Sequence, residues 1–222
     1  MSRGRERFLL VVVIAAWTAV AGAQPRGDVS VTVHNLSVSG PGEVKSLTET
    51  EVCRFCHIPH RPVLPEPLWS QPLSQAQYET PMVRSSGGTS SPAPQPDGAS
   101  RLCLSCHDGT VAIGVRGPAA GASLRLTPAS RGWVGTDLTG SHPVSFVVVD
   151  QMQEDAAGSD MRVRPLASIL LDPYVRLDAS GKIQCTSCHD PHDDSHYVRG
   201  MTPHFLVKPT TAEVCLTCHE LD

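Results

Sequence analysis

The chain has 222 residues, a net charge of −4, and only 5% aromatic residues set against 18 glycines and 19 prolines. The charge gives no footprint for nucleic-acid binding, and the composition leaves little bulky side chain for a conventional hydrophobic core. Many turns and few long elements are expected, in one domain or at most two small ones.

In chain order, the first feature is a basic stretch, Arg3, Arg5 and Arg7, followed by an apolar run from Phe8 to Ala21 and the small-residue sequence Ala21-Gly22-Ala23. This is the pattern of a secretory signal peptide over residues 1–23, removed after Ala23. The rival reading, a membrane anchor, needs a longer apolar run. Residues 24–222 are then expected to form a single domain with no membrane span. They open with an arm over 24–52 that contains His34 and a Gly40-Pro41-Gly42 turn.

All eight cysteines fall in four Cys-x-x-Cys-His pentads: Cys53/Cys56/His57, Cys103/Cys106/His107, Cys185/Cys188/His189 and Cys215/Cys218/His219. Two thiols one helical turn apart can form thioethers with the two vinyl groups of one haem, and the adjacent His then lies under the iron. This pentad is the signature of c-type haem attachment. A zinc ribbon would not need a His after every second Cys. A disulfide framework would not need four identical pentads. The sequence therefore implies four covalently held c-type haems, with His57, His107, His189 and His219 as proximal ligands.

Six histidines remain: His34, His60, His142, His192, His196 and His204. Four irons need four further ligands, so all sites can be closed by His; Met82, Met152, Met161 and Met201 are alternatives that would raise the reduction potential. His60 and His192 each follow a proximal His by three residues. So short a segment cannot return to the opposite face of the same haem, so each must reach a different one or be an exposed turn residue. His142 precedes the apolar run Val144–Val149 and can be held rigidly. His34 needs its arm tied down. His196 and His204 lie in a polar, turn-rich stretch and rank lowest.

Between the pentads, residues 61–67 are too rich in proline for helix. Residues 84–100 read as a flexible surface loop, and strands are expected near 144–149 and 163–177. The expected fold is mostly coil, with short helices at the CxxCH motifs and a few short β-strands, wrapped around a haem stack.

The blocks Val52–His60, Pro67-Leu68-Trp69, Leu102–Ala112, Ser141–Val144 and Gln184–His192 resemble the doubled-CXXCH cytochromes. In order and number they are similar to the OmcE-type tetrahaem cytochromes that polymerise into extracellular electron-conducting filaments. The resemblance covers nearly all of residues 24–222. It implies bis-His ligation throughout, with distal ligands at His34, His60, His142 and His192. It also implies a homopolymer in which a neighbouring subunit completes one haem, through His60 or His34. Redox donor and acceptor proteins would be the other partners. With both axial positions filled, the chain would be an electron carrier and not an enzyme, at the cell exterior or in the periplasm. The alternatives are a monomeric periplasmic shuttle, an electron-transfer subunit of a membrane complex, and a multihaem reductase with one open haem.

Overall fold

The computed structural model describes residues 27–65, 67–84, 89–114, 124–150, 152 and 161–221. The expected signal segment, 1–23, and residues 85–88 of the expected loop lie outside the described residues. What is described is mostly coil with a few short elements.

Two 3-10 helices, Val29–Val31 and Val52–Phe55, precede β1 (Met82–Arg84) and β2 (Ser90–Pro92). There follow α1 (Gly98–His107), β3 (Met161–Val163), α2 (Leu166–Ile169), α3 (Cys185–Cys188), α4 (Thr211–Cys218) and β4 (His219–Leu221). Strand β1 pairs antiparallel with β2, Val83 opposite Ser91. Strand β3 pairs antiparallel with β4, Val163 opposite His219. The second pair fixes the backbone immediately after the last pentad.

Helical turns at the pentads were expected and are present, the first as a 3-10 turn. The strand expectations need correction. Residues 144–149 form no extended strand: they run beside 181–183 through the Val147–Lys182 bridge and three backbone hydrogen bonds, Ser145 N to Ile183 O, Ile183 N to Phe146 O and Val148 N to Gly181 O. Residues 163–177 hold only the end of β3. Pro165 then caps α2, and Pro173 follows; neither proline can donate to a sheet ladder. The 84–100 segment also differs from a simple surface loop. It contains β2 and the start of α1, and Ala93 and Ser100 are buried. Asp97 anchors it by accepting from the Gln184 amide, and its own N–H donates to Ser145 Oγ.

The apolar interior is divided among four small clusters among the described residues. Phe55, Ile113 and Leu126 pack with Cys56 and Cys106. Tyr78, Leu104 and Leu138 form the second. Val148, Ile169 and Ile183 pack with Cys218, and Val175, Leu206 and Val214 pack with both Cys188 and Cys218. Three of the four clusters thus include pentad cysteines. Buried polar side chains also take part in hydrogen-bond networks. Gln184 is the chief of these: its carbonyl accepts from Ser100 N and Oγ (3.1 and 2.6 Å), and its amide donates to Asp97 and Asp178 (3.1 and 2.9 Å). Ser100 Oγ in turn accepts from Cys185 N at 3.0 Å. This knot ties the helix of the second pentad to that of the third.

Candidate haem-attachment sites

Each pentad puts its two cysteines three residues apart on a helical turn, so both thiols leave the same face. Local caps hold those turns. Gln184 and Ser187 form a reciprocal capping box at α3. Thr210 accepts from Glu213 N at the start of α4. All eight thiols are free, so the disulfide alternative is not realised. Burial pushes Cys56 up to about 11, Cys106 to about 12 and Cys188 to about 11. These three thiols stay protonated at neutral pH, whereas the neighbouring Cys103 thiol lowers Cys185 to about 7. Among the described residues no group of His, Cys, Asp and Glu is arranged to cage a metal ion by itself.

The histidines show what the cysteines alone do not. His34 faces His107 with ring centres 5.9 Å apart, His192 faces His57 at 6.0 Å, and His142 faces His219 at 6.2 Å. Each pair joins one pentad histidine to one distant histidine. With metal–nitrogen bonds of about 2 Å, imidazoles on opposite faces of one iron have ring centres roughly 6 Å apart. The three separations fit that arrangement.

Tautomers point the same way. A ligating imidazole donates its other ring N–H to a carbonyl or carboxylate, which leaves the Nε2 lone pair for metal. Nδ1 of His57 lies 2.7 Å from Pro67 O, that of His107 2.6 Å from Gly132 O, and that of His189 3.2 Å from His204 O. Nδ1 of His142 faces Pro143 O at 2.8 Å and that of His34 faces Pro191 O at 3.3 Å. His192 Nδ1 faces the Asp190 carboxylate at 3.4 Å. Only His219 departs: its Nδ1 is buried without an aligned acceptor, although the Arg162 backbone lies nearby. Burial, followed by the neighbouring His107, lowers the pKa of His34 to about 4. Burial also leads in lowering His189 and His219. These rings are neutral at pH 7, as metal ligation requires.

The acceptor carbonyls sit at unusual backbone. Gly132 has φ +78°, and the residues after Pro67 and His204, Leu68 and Phe205, have φ 63° and 62°. A left-handed residue therefore sits at or directly after the carbonyl that meets each of the first three pentad histidines. For a non-glycine this conformation costs about 1–2 kcal/mol, a cost seen where geometry serves a site. Sequence reasoning missed these carbonyls, because a backbone acceptor has no residue signature.

Among the expected distal ligands, His34, His142 and His192 each meet a pentad ring, and His60 does not. His60 is exposed in the turn after Pro59, and among the described residues no aromatic ring faces it. Among the same residues no histidine ring lies across from His189. His204 is held by Asp194 at 2.7 Å and stacks on Tyr197 at 3.5 Å between ring centres. Met82 and Met201 are exposed.

Residues 179–222 match the doubled CXXCH motif. That stretch contains the third and fourth pentads. The match supports a multihaem c-type cytochrome, with iron-containing haem attached covalently through the CxxCH motifs and a role in electron transport. No curated protein matches the chain. No helix among the described residues is long and apolar enough to cross a membrane.

Proposed function

We propose that the chain binds four haems through Cys53/Cys56, Cys103/Cys106, Cys185/Cys188 and Cys215/Cys218 and works as an electron carrier outside the cytoplasm. The observation that carries this reading is the set of three histidine pairs at 5.9–6.2 Å. Bound haem supplies a one-electron Fe(III)/Fe(II) couple. The chain's part would be to hold each iron between two imidazoles, which would leave a substrate no place on the metal. His107 with His34 would hold the second haem, His57 with His192 the first, and His219 with His142 the fourth.

Among the described residues His189 has no histidine ring across from it. His34 is already used, His204 is held by Asp194 and Tyr197, and His60 is exposed and unengaged. We assign His60 of a second copy to the third site, in line with the resemblance, in which His60 or His34 crosses between subunits. Repetition of that contact gives a homopolymer, in keeping with the resemblance to filament-forming tetrahaem cytochromes. The export signal expected over residues 1–23 would agree with haem attachment outside the cytoplasm and with delivery to the cell exterior or the periplasm.

The unfilled ring position at His189 also favours a second reading, a single-copy protein with one open haem that binds small ligands. Carbon monoxide titration of the reduced protein, fractionated by size, separates the two. Assembled material is expected to bind no carbon monoxide. His60→Ala is expected to abolish assembly and bind one equivalent per chain. Polymers formed by His60→Ala with every iron low-spin would refute the assignment. Ligand binding at one haem in assembled wild-type protein would establish the open-haem reading.

A further inference from the structure

The three ring pairs closed within the chain are not equivalent. The planes of His57 and His192 lie 20° apart, whereas those of His34 and His107 are 64° apart and those of His142 and His219 are 65° apart. Each imidazole π system raises the iron d orbital perpendicular to its own plane. Parallel rings raise the same orbital and split the upper pair; crossed rings raise both and leave them nearly degenerate. The splitting stabilises the ferric ion, whose electron hole lies in the upper orbital. Parallel planes therefore lower the reduction potential relative to crossed ones.

Partners of the outer ring nitrogens act in the same sense. A strong acceptor at Nδ1 makes imidazole a better donor to iron and favours the ferric state. At the first pentad His57 has a carbonyl at 2.7 Å and His192 faces the carboxylate of Asp190. At the second, the acceptors are two carbonyls, at 2.6 and 3.3 Å. At the fourth, His142 has a carbonyl at 2.8 Å, and His219 Nδ1 has only the Arg162 backbone nearby, without a well-aligned hydrogen bond.

Nearby charge reinforces the trend. Arg164 Nε donates to the carbonyls of Leu216 and His219, at 3.0 and 3.2 Å, which sets a guanidinium against the fourth pentad. Its ion-pair partner Glu220 is exposed and 3.8 Å away, so it offsets that charge weakly. At the first pentad, Arg54 is paired with Glu49 at 3.2 Å.

We infer that the His57/His192 pair sets the lowest reduction potential of the three and the His142/His219 pair the highest, so that the order of potentials follows the order of the pentads. That order is also spatial. Cys56 and Cys106 share one apolar cluster, the Cys185 N–H donates to Ser100 Oγ in the helix of the second pentad, and Cys188 and Cys218 share another cluster. The inference rests on the reading of these rings as axial ligands.

The test is a stepwise reductive titration of the haem-loaded protein followed by electron paramagnetic resonance. Near-parallel rings give a rhombic low-spin signal, and crossed rings give one with a large maximal g value. Asp190→Asn keeps the turn in which Oδ1 accepts from His192 N and removes the charge, so it labels the first site. Arg164→Gln labels the fourth, and His60→Ala sets the His189 site apart. The signal that Asp190→Asn shifts to higher potential is expected to be rhombic and the last of the three to vanish. The signal that Arg164→Gln shifts downward is expected to have crossed-plane character and to vanish first. The reverse order, or midpoints unmoved by both substitutions, would overturn the inference. Absence of any low-spin bis-imidazole signal would instead refute the proposed ligation itself.

Discussion

The histidine side chains depend on backbone atoms that no sequence pattern marks. Phe205 illustrates this: its ring stacks on His34 at 4.1 Å, while the preceding carbonyl meets His189 Nδ1. Phe205 and the carbonyl before it thus support the two rings assigned above to the second and third sites, His34 and His189. Tyr78 plays a comparable part behind the second pentad. Its hydroxyl donates to the buried carboxylate of Asp108 at 2.6 Å, and burial with that carboxylate pushes its own pKa up to about 12. Tyr78→Phe leaves the carboxylate short of a donor, and an expected loss of about 1–3 kcal/mol is measurable as a lower urea midpoint with haem content unchanged. Gly109 follows Asp108 with φ +74°, and a Cβ there would lie 2.7 Å from Leu126 O. Gly109→Ala is expected to destabilise by about 1–3 kcal/mol through the left-handed backbone strain alone, and the collision with a carbonyl adds to it. Thermal melts of the loaded protein check this.

Short helical turns at the pentads were legible in the sequence because the spacing of cysteines demands them. Strands near 144–149 and 163–177 were not: the first run pairs only briefly with 181–183, and Pro165 and Pro173 interrupt the second. The ligand set was legible in part. His60 and His192 occupy the same local pattern, three residues after a pentad histidine, yet only His192 reaches a ring, His57, far away in sequence. Nothing local distinguishes them. His34 looked mobile, but a knot of side chains secures its arm: Asn35 donates to Ser30 O at 2.6 Å and accepts from Ser37 Oγ at 2.6 Å. Between α1 and α3 the Gln184–Ser100 contacts hold two pentads together. Gln184→Leu removes the acceptor for both Ser100 donors, and an expected cost of about 1–3 kcal/mol is readable as a lower midpoint of unfolding. Hydrogen exchange is expected to quicken first in α1 and α3.

For the molecule as a whole, the four small clusters mean that chain-to-chain packing is thin and distributed around the attachment cysteines. Small interiors of this kind depend on covalent staples or bound groups, and a group that binds only the folded chain stabilises it. The chain produced without haem attachment is therefore expected to lack a cooperative unfolding transition, whereas the loaded protein shows one; calorimetry compares the two. Pairing of remote histidines likewise belongs to this scale, since His34, His142 and His192 each reach a pentad that is not their nearest in sequence. The claim that these pairs close their irons is tested most directly by near-infrared magnetic circular dichroism of the fully oxidised protein, which counts irons by axial ligand type. The account predicts three bis-histidine irons per chain in single copies and four in assembled material. Fewer than three, or a methionine–histidine band at any site, would contradict it.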